Sequence, residues 1–140
     1  YTVIGDSVNL GARLESANKQ YRTGVMISES TYRQVERDII ARELDMLVVV
    51  GKTEPIRVYE LIAMADKDIS PKQRQFVELY TEGLRLHREQ QWTRAIDRFE
   101  QALLLFPEDY PCRLYIERSQ VYLTSPPPPD WNGAFVLRTK

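Results

Sequence analysis

Cysteine and histidine are nearly missing: the 140-residue chain holds one of each, Cys112 and His87. A lone cysteine cannot close an internal disulfide, so nothing requires an oxidising compartment, and the two residues make no Cys/His cluster for zinc. Neither sign of charge is in excess, with 19 Lys+Arg against 20 Asp+Glu. That balance removes any bulk electrostatic reason to expect a nucleic acid or an anionic membrane as partner. No apolar run approaches the roughly 20 residues that a bilayer demands, and no basic-then-apolar leader opens the chain. The phosphate-cradling run of a P-loop is also missing. So is an initiating methionine: the chain starts on Tyr1-Thr2-Val3-Ile4, which reads as a strand. The expectation is a cytoplasmic segment of a longer protein, whose membrane anchoring, if any, lies upstream.

What is present divides the chain. Val and Ile number 14 in residues 1–67 and 6 in residues 68–140. β-Branched side chains favour the pleated surface of a sheet, so strands are expected before about residue 65 and helices after it, an α+β chain. Gly5-Asp6-Ser7 punctuates the first strand, and Asp6 or Ser7 can cap a helix to about Lys19 with Leu10, Leu14 and Ala17 facing the core. Val25–Ser28 reads as a second strand and Glu29 to Arg37 as a short helix. Ala41–Val50 and Pro55–Ile62 read as the arms of a hairpin turning at Gly51-Lys52-Thr53-Glu54.

Ser70-Pro71 reads as an N-cap with proline at the first helical position, opening a helix to about Glu89. Helices over Trp92–Leu105 and Pro111–Leu123 follow, separated by Pro107. Pro126–Pro129 reads as a polyproline II tether. The tail with Trp131, Phe135 and Val136 is apolar enough to dock.

Two features could carry chemistry. Asn9 and Arg13 are four residues apart on the first predicted helix, sharing a face that excludes Leu10 and Leu14. An amide beside a guanidinium suits a polyanion, because the guanidinium meets phosphate oxygens bidentately. From spacing alone a solvated helix face is the commoner outcome. Lys52, on the hairpin turn, is a mobile point charge able to reach a phosphate, although turn lysines more often serve solubility. His87 stands among Arg85, Arg88 and Glu89, which predicts an exposed surface position.

Together these residues carry a resemblance. Tyr1-Thr2-Val3-Ile4-Gly5-Asp6-Ser7-Val8-Asn9-Leu10-Gly11-Ala12-Arg13-Leu14-Glu15 resembles the signature of the class III nucleotidyl cyclases, and Val49-Val50-Gly51-Lys52-Thr53-Glu54-Pro55-Ile56 resembles their C-terminal hairpin. The resemblance covers about residues 1–63. It implies the C-terminal half of a ferredoxin-like catalytic domain that converts ATP to 3′,5′-cyclic AMP and pyrophosphate. It implies that Asn9 positions the ribose, Arg13 stabilises charge on the α-phosphate, Lys52 contacts the triphosphate and Thr2 stands at the purine-selecting position.

It also implies Mg²⁺ or Mn²⁺ as cofactor, held by two aspartates that belong upstream of Tyr1, so no metal ligand is assigned here and the piece alone is expected to be inactive. A second cyclase domain, as homodimer partner, is expected to complete the site. A guanylate cyclase or a non-catalytic cyclase-like interaction module are the alternatives.

In the helical half, Leu79, Gly83, Leu86, Ala95, Phe99, Ala102 and Pro107 match the 34-residue tetratricopeptide spacing, in which small residues sit where two helices cross. Any amphipathic helical hairpin is the alternative. The third helix is expected to cap the repeat through Leu114, Tyr115, Val121 and Tyr122, with a possible protein partner for the whole. The expected division is a partial bacterial cyclase domain over residues 1–65, a tetratricopeptide-like region over 70–124, and a proline-rich linker and tail over 125–140.

Overall fold

β-Branched segments become strands, and proline- and serine-bounded segments become helices. The computed structural model describes residues 2–4, 24–49, 55–67 and 69–137. Its mixed α+β chain falls into two compact units, one of Tyr1–Asp68 with Gly133–Lys140 and one of Ile69–Asn132. The helix predicted to end near Lys19 and the 51–54 turn lie outside the described residues.

In the sheet unit, β1 (Thr2–Ile4), β2 (Val25–Ser28), α1 (Glu29–Val35), β3 (Ile39–Val49) and β4 (Ile56–Met64) are joined by a tail strand, β5 (Phe135–Leu137). Their order is β1-β2-β4-β3-β5. β4 is antiparallel to both β2 and β3, whereas β1 lies parallel to β2 and β5 parallel to β3. Ser28 ends β2 and caps α1, its Oγ accepting from the Thr31 N–H at 3.3 Å, which satisfies one of the helix's orphan donors.

Two bulges mark the hairpin. Ile40 faces Ala63 but Ala41 faces Leu61, so Ile62 is an extra residue; Glu43 faces Tyr59 but Asp45 faces Val58, so Leu44 is another. The second bulge interrupts the two-residue alternation, and the whole run from Leu44 to Leu47 is buried. Its Leu44, Met46 and Leu47, with Met26, Ile27 and Val58, form the sheet unit's core.

In the helical unit, α2 (Pro71–Arg88), α3 (Trp92–Leu105) and α4 (Tyr110–Thr124) follow in sequence. Ser70 and Gln73 form a reciprocal capping box: Ser70 Oγ accepts from the Gln73 N–H at 3.1 Å and Gln73 Oε1 from the Ser70 N–H at 3.0 Å, with Pro71 at the first helical position. α2 ends in a Schellman motif, the Gln91 N–H donating to Leu86 O and the Gln90 N–H to His87 O, with Gln90 left-handed at φ 62°. Asp109 caps α4 by accepting from the Cys112 N–H at 3.1 Å.

The core is Phe76, Tyr80, Leu84 and Leu86 from α2, Ala95, Phe99 and Ala102 from α3, and Cys112 and Tyr115 from α4. Gly83 lets α2 and α3 close, since a Cβ there would stand 2.9 Å from Phe99 Cε1. Phe99 stacks on Tyr115 with ring centroids 5.3 Å apart and meets Tyr80 edge-on. Val121, expected to pack inward, is 58% exposed, because α4 buries the Cys112, Tyr115 and Ser119 stripe instead. No helix among the described residues is long and apolar enough to cross a membrane.

Candidate functional site

Strand direction decides which ends of the sheet share a side. Ile4 pairs with Ile27, Ile27 with Tyr59, and Leu47 with Ile56. β1, β2, β3 and β5 therefore all run toward the end of the sheet where β3 gives way to β4. Ile4 is the last described residue before the segment holding Asn9 and Arg13, and Val49 the last before the turn holding Lys52. Both are strand ends directed to that side. Thr2 opens β1, paired with Val25. Asn9, Arg13 and Lys52 themselves lie outside the described residues. Parallel strands such as β1 and β2 call for a crossover connection of a dozen or more residues, usually a helix, and the sequence predicts one between them.

Away from this edge, toward the entry to β2, the sheet carries an ion pair that sequence reading did not single out. Glu60 on β4 accepts at Oε1 from Arg42 Nε on β3 at 2.7 Å, with the two side chains 17% and 4% exposed. Its Oε2 accepts from the Gly24 N–H, at the entry to β2, at 3.4 Å. One carboxylate thus ties β2, β3 and β4 together. The signal was available: Glu60 is the charged member of the alternating set Ile56, Val58, Glu60. Asp45, also buried, accepts from the Met46 N–H at 2.8 Å. Tyr59 stacks on Tyr32 of α1 at 4.0 Å, and burial, then Glu43 and Glu29, push its phenol above the ordinary range. It stays protonated at neutral pH.

Among the described residues no group of three or more His, Cys, Asp or Glu could hold a metal ion. These described residues do not fit a divalent-metal site.

His87 corrects its expected exposure. It is 3% exposed, with Nδ1 2.8 Å from Ser119 Oγ, among the rings of Trp92, Tyr115, Tyr122 and Trp131 at centroid distances of 5.0–5.8 Å. Its charged sequence neighbours hid this, because the enclosing rings come from other helices and from the tail. Burial first, then the charges of Arg118 and Arg88, lower its pKa to about 3, so the imidazole is neutral at physiological pH. Enclosed in this way, it is a structural residue, not an acid–base group open to substrate.

Comparison with known proteins finds relatives of one kind among those matched. A 65-residue stretch is 42% identical to the adenylate cyclase of Anabaena cylindrica. The chain is distantly similar to adenylate cyclases. A 64-residue stretch is 33% identical to adenylate cyclase 1 of Rhizobium meliloti, and a 120-residue stretch is 28% identical to the terminal-differentiation-specific adenylate cyclase of Dictyostelium discoideum. These cover 44%, 46% and 84% of the chain but only 13%, 10% and 6% of the relatives. The chain therefore spans a small part of each adenylate cyclase that it matches. The 84% match is longer than either unit, so it runs across both. No family model matches the chain, and no solved structure does.

Proposed function

We propose that residues 1–65 are the nucleotide-facing part of a class III adenylate cyclase domain, forming 3′,5′-cyclic AMP and pyrophosphate from ATP when the rest of the domain is supplied. What supports the reading most is the similarity of roughly half-chain stretches to adenylate cyclases of two bacteria, at 42% and 33% identity. The shared direction of β1 and β3, which lead to the Asn9–Arg13 segment and the Lys52 turn, agrees with it.

The reaction is intramolecular: the ribose 3′-hydroxyl attacks the α-phosphate, forming one P–O bond as the bond to pyrophosphate breaks. Such chemistry rests on positioning and charge stabilisation. In this reading Asn9 orients the ribose, Arg13 meets the charge that builds on the α-phosphate, Lys52 holds the triphosphate and Thr2 contacts the purine. Divalent Mg²⁺ or Mn²⁺ belongs to a part of the domain to which no residue of this chain is assigned.

A second cyclase domain completes the site as homodimer partner. The helical unit is a single tetratricopeptide-like hairpin capped by α4 and serves docking. Gly83, Ala95 and Ala102, all buried where α2 and α3 meet, support that assignment. Incubating the 140-residue chain with ATP and Mn²⁺ or Mg²⁺ tests the dependence: no cyclic AMP is expected from the chain alone. Formation should appear when the metal-binding half of a class III cyclase is added. Robust formation by the chain alone would overturn it.

A further inference from the structure

Leu61 and Met64, three residues apart on β4, line one cavity. Strict alternation would send them to opposite faces of the sheet. The extra residue Ile62, where the pairing steps from Ile40–Ala63 to Ala41–Leu61, returns them to the same side. The cavity measures about 820 Å³, inside the range of roughly 300–1,000 Å³ in which small-molecule sites fall. Ile27 of β2, Val35 of α1 and Ile39 of β3 complete its apolar walls, and every lining residue belongs to the sheet unit.

Main-chain bonds close the rim. The Asp38 N–H donates to Val35 O and the Ala65 N–H to Asp38 O, both at 2.8 Å, so the α1–β3 turn is stapled to the exit of β4. Met64 stays 48% exposed, a large apolar side chain held at a cavity wall instead of in the core. The charged residues of the lining are Asp38, Asp66 and Arg37, so carboxylates outnumber the guanidinium. Their chain neighbours Glu36 and Lys67 have opposite signs and leave that balance unchanged.

We propose that this cavity binds a small amphipathic cation, with an alkyl or aryl group against Ile27, Leu61 and Met64 and a protonated nitrogen at Asp38 and Asp66. The apolar walls supply the affinity, and the excess carboxylate selects the sign of the head group. The site stands where β3 begins and β4 finishes, at the opposite end of the sheet from the strand ends that precede Asn9, Arg13 and Lys52. It rests neither on the cyclase reading nor on the helical unit.

Methyl-¹³C methionine spectra of the full 140-residue chain test the site, with n-octylammonium chloride as the probe. The chain has three methionines, and Met26 and Met46, 0% and 8% exposed, serve as internal references. The Met64 methyl is expected to shift saturably while the two references stay in place. Ala65→Trp keeps the backbone bond to Asp38 and fills the cavity mouth from an exposed position, so it should abolish the shift. Asp38→Asn combined with Asp66→Asn should weaken binding about fivefold, the size of an exposed charge interaction. Octanoate, with the same chain length and the opposite charge, should bind more weakly than octylammonium. No saturable Met64 shift with octylammonium, or one that survives Ala65→Trp, overturns the site. Octanoate binding as tightly as octylammonium, or full affinity in the double Asn variant, contradicts a cationic ligand.

Discussion

His87 Nδ1 lies 2.8 Å from Ser119 Oγ, joining α2 to α4 beneath a cover of aromatic rings. The folded pKa is lowered from 6.5 to about 3 by burial and then by Arg118 and Arg88. Between these values the unfolded chain binds a proton that the folded chain does not. Stability is therefore full above about pH 6.5 and falls on acidification, by up to about 1.4 kcal/mol per pH unit for one such group. Denaturant midpoints of the helical unit, followed by Trp fluorescence from pH 7.5 to 4.5, should show that decline. His87→Phe, which cannot titrate, should flatten it; an unchanged slope contradicts the assignment.

Gly83 tests how closely α2 and α3 approach. Alanine normally gains about 1 kcal/mol over glycine in a helix interior. Here its methyl would meet the Phe99 ring at 2.9 Å, and that ring is fully buried and stacked on Tyr115. Overpacking of this kind costs about 1–3 kcal/mol, so Gly83→Ala should lower the urea midpoint. A raised midpoint would mean that the ring yields freely.

Gln90 is the one non-glycine residue with positive φ among the described residues, at the position where a Schellman motif favours glycine. Gln90→Gly should stabilise the helical unit by roughly 0.5–1 kcal/mol, read as a higher thermal midpoint. A lower midpoint would show that the Gln90 side chain contributes more than its backbone strain costs.

Glu60 is expected to be the sheet unit's most sensitive surface-proximal carboxylate. Glu60→Gln keeps the shape but removes the charge facing a 4%-exposed Arg42. Breaking a buried pair by removing one partner costs about 3–5 kcal/mol, and the retained amide should bring the loss to the lower end of that range. The loss should appear in the cooperative unfolding of the sheet, and a wild-type midpoint would contradict it.

Helix limits were legible because their punctuation is local: Ser70-Pro71 and Pro107 fall where α2 begins and just after α3 ends. Strand limits were less so. The Leu44 bulge is a two-strand property, and four consecutive buried residues do not follow from an alternating pattern. The tail could be read as apolar, but its pairing with β3 depends on an edge formed by residues nearly ninety positions earlier. His87 illustrates the same limit, since local charge argued for exposure while distant rings enclosed it. At the candidate site, the roles proposed for Asn9, Arg13 and Lys52 rest on residue identity alone, and the structure adds the directions of β1 and β3, the strands that precede them in the chain.

The most direct test of the central claim is cyclic AMP formation by the chain combined with the metal-binding half of a class III cyclase, comparing wild type with Arg13→Ala. If Arg13 stabilises charge on the α-phosphate, its loss should lower kcat by about 10²-fold or more, in line with arginines in other phosphoryl-transfer sites. KM for ATP should change far less. Turnover by Arg13→Ala equal to wild type would contradict the account.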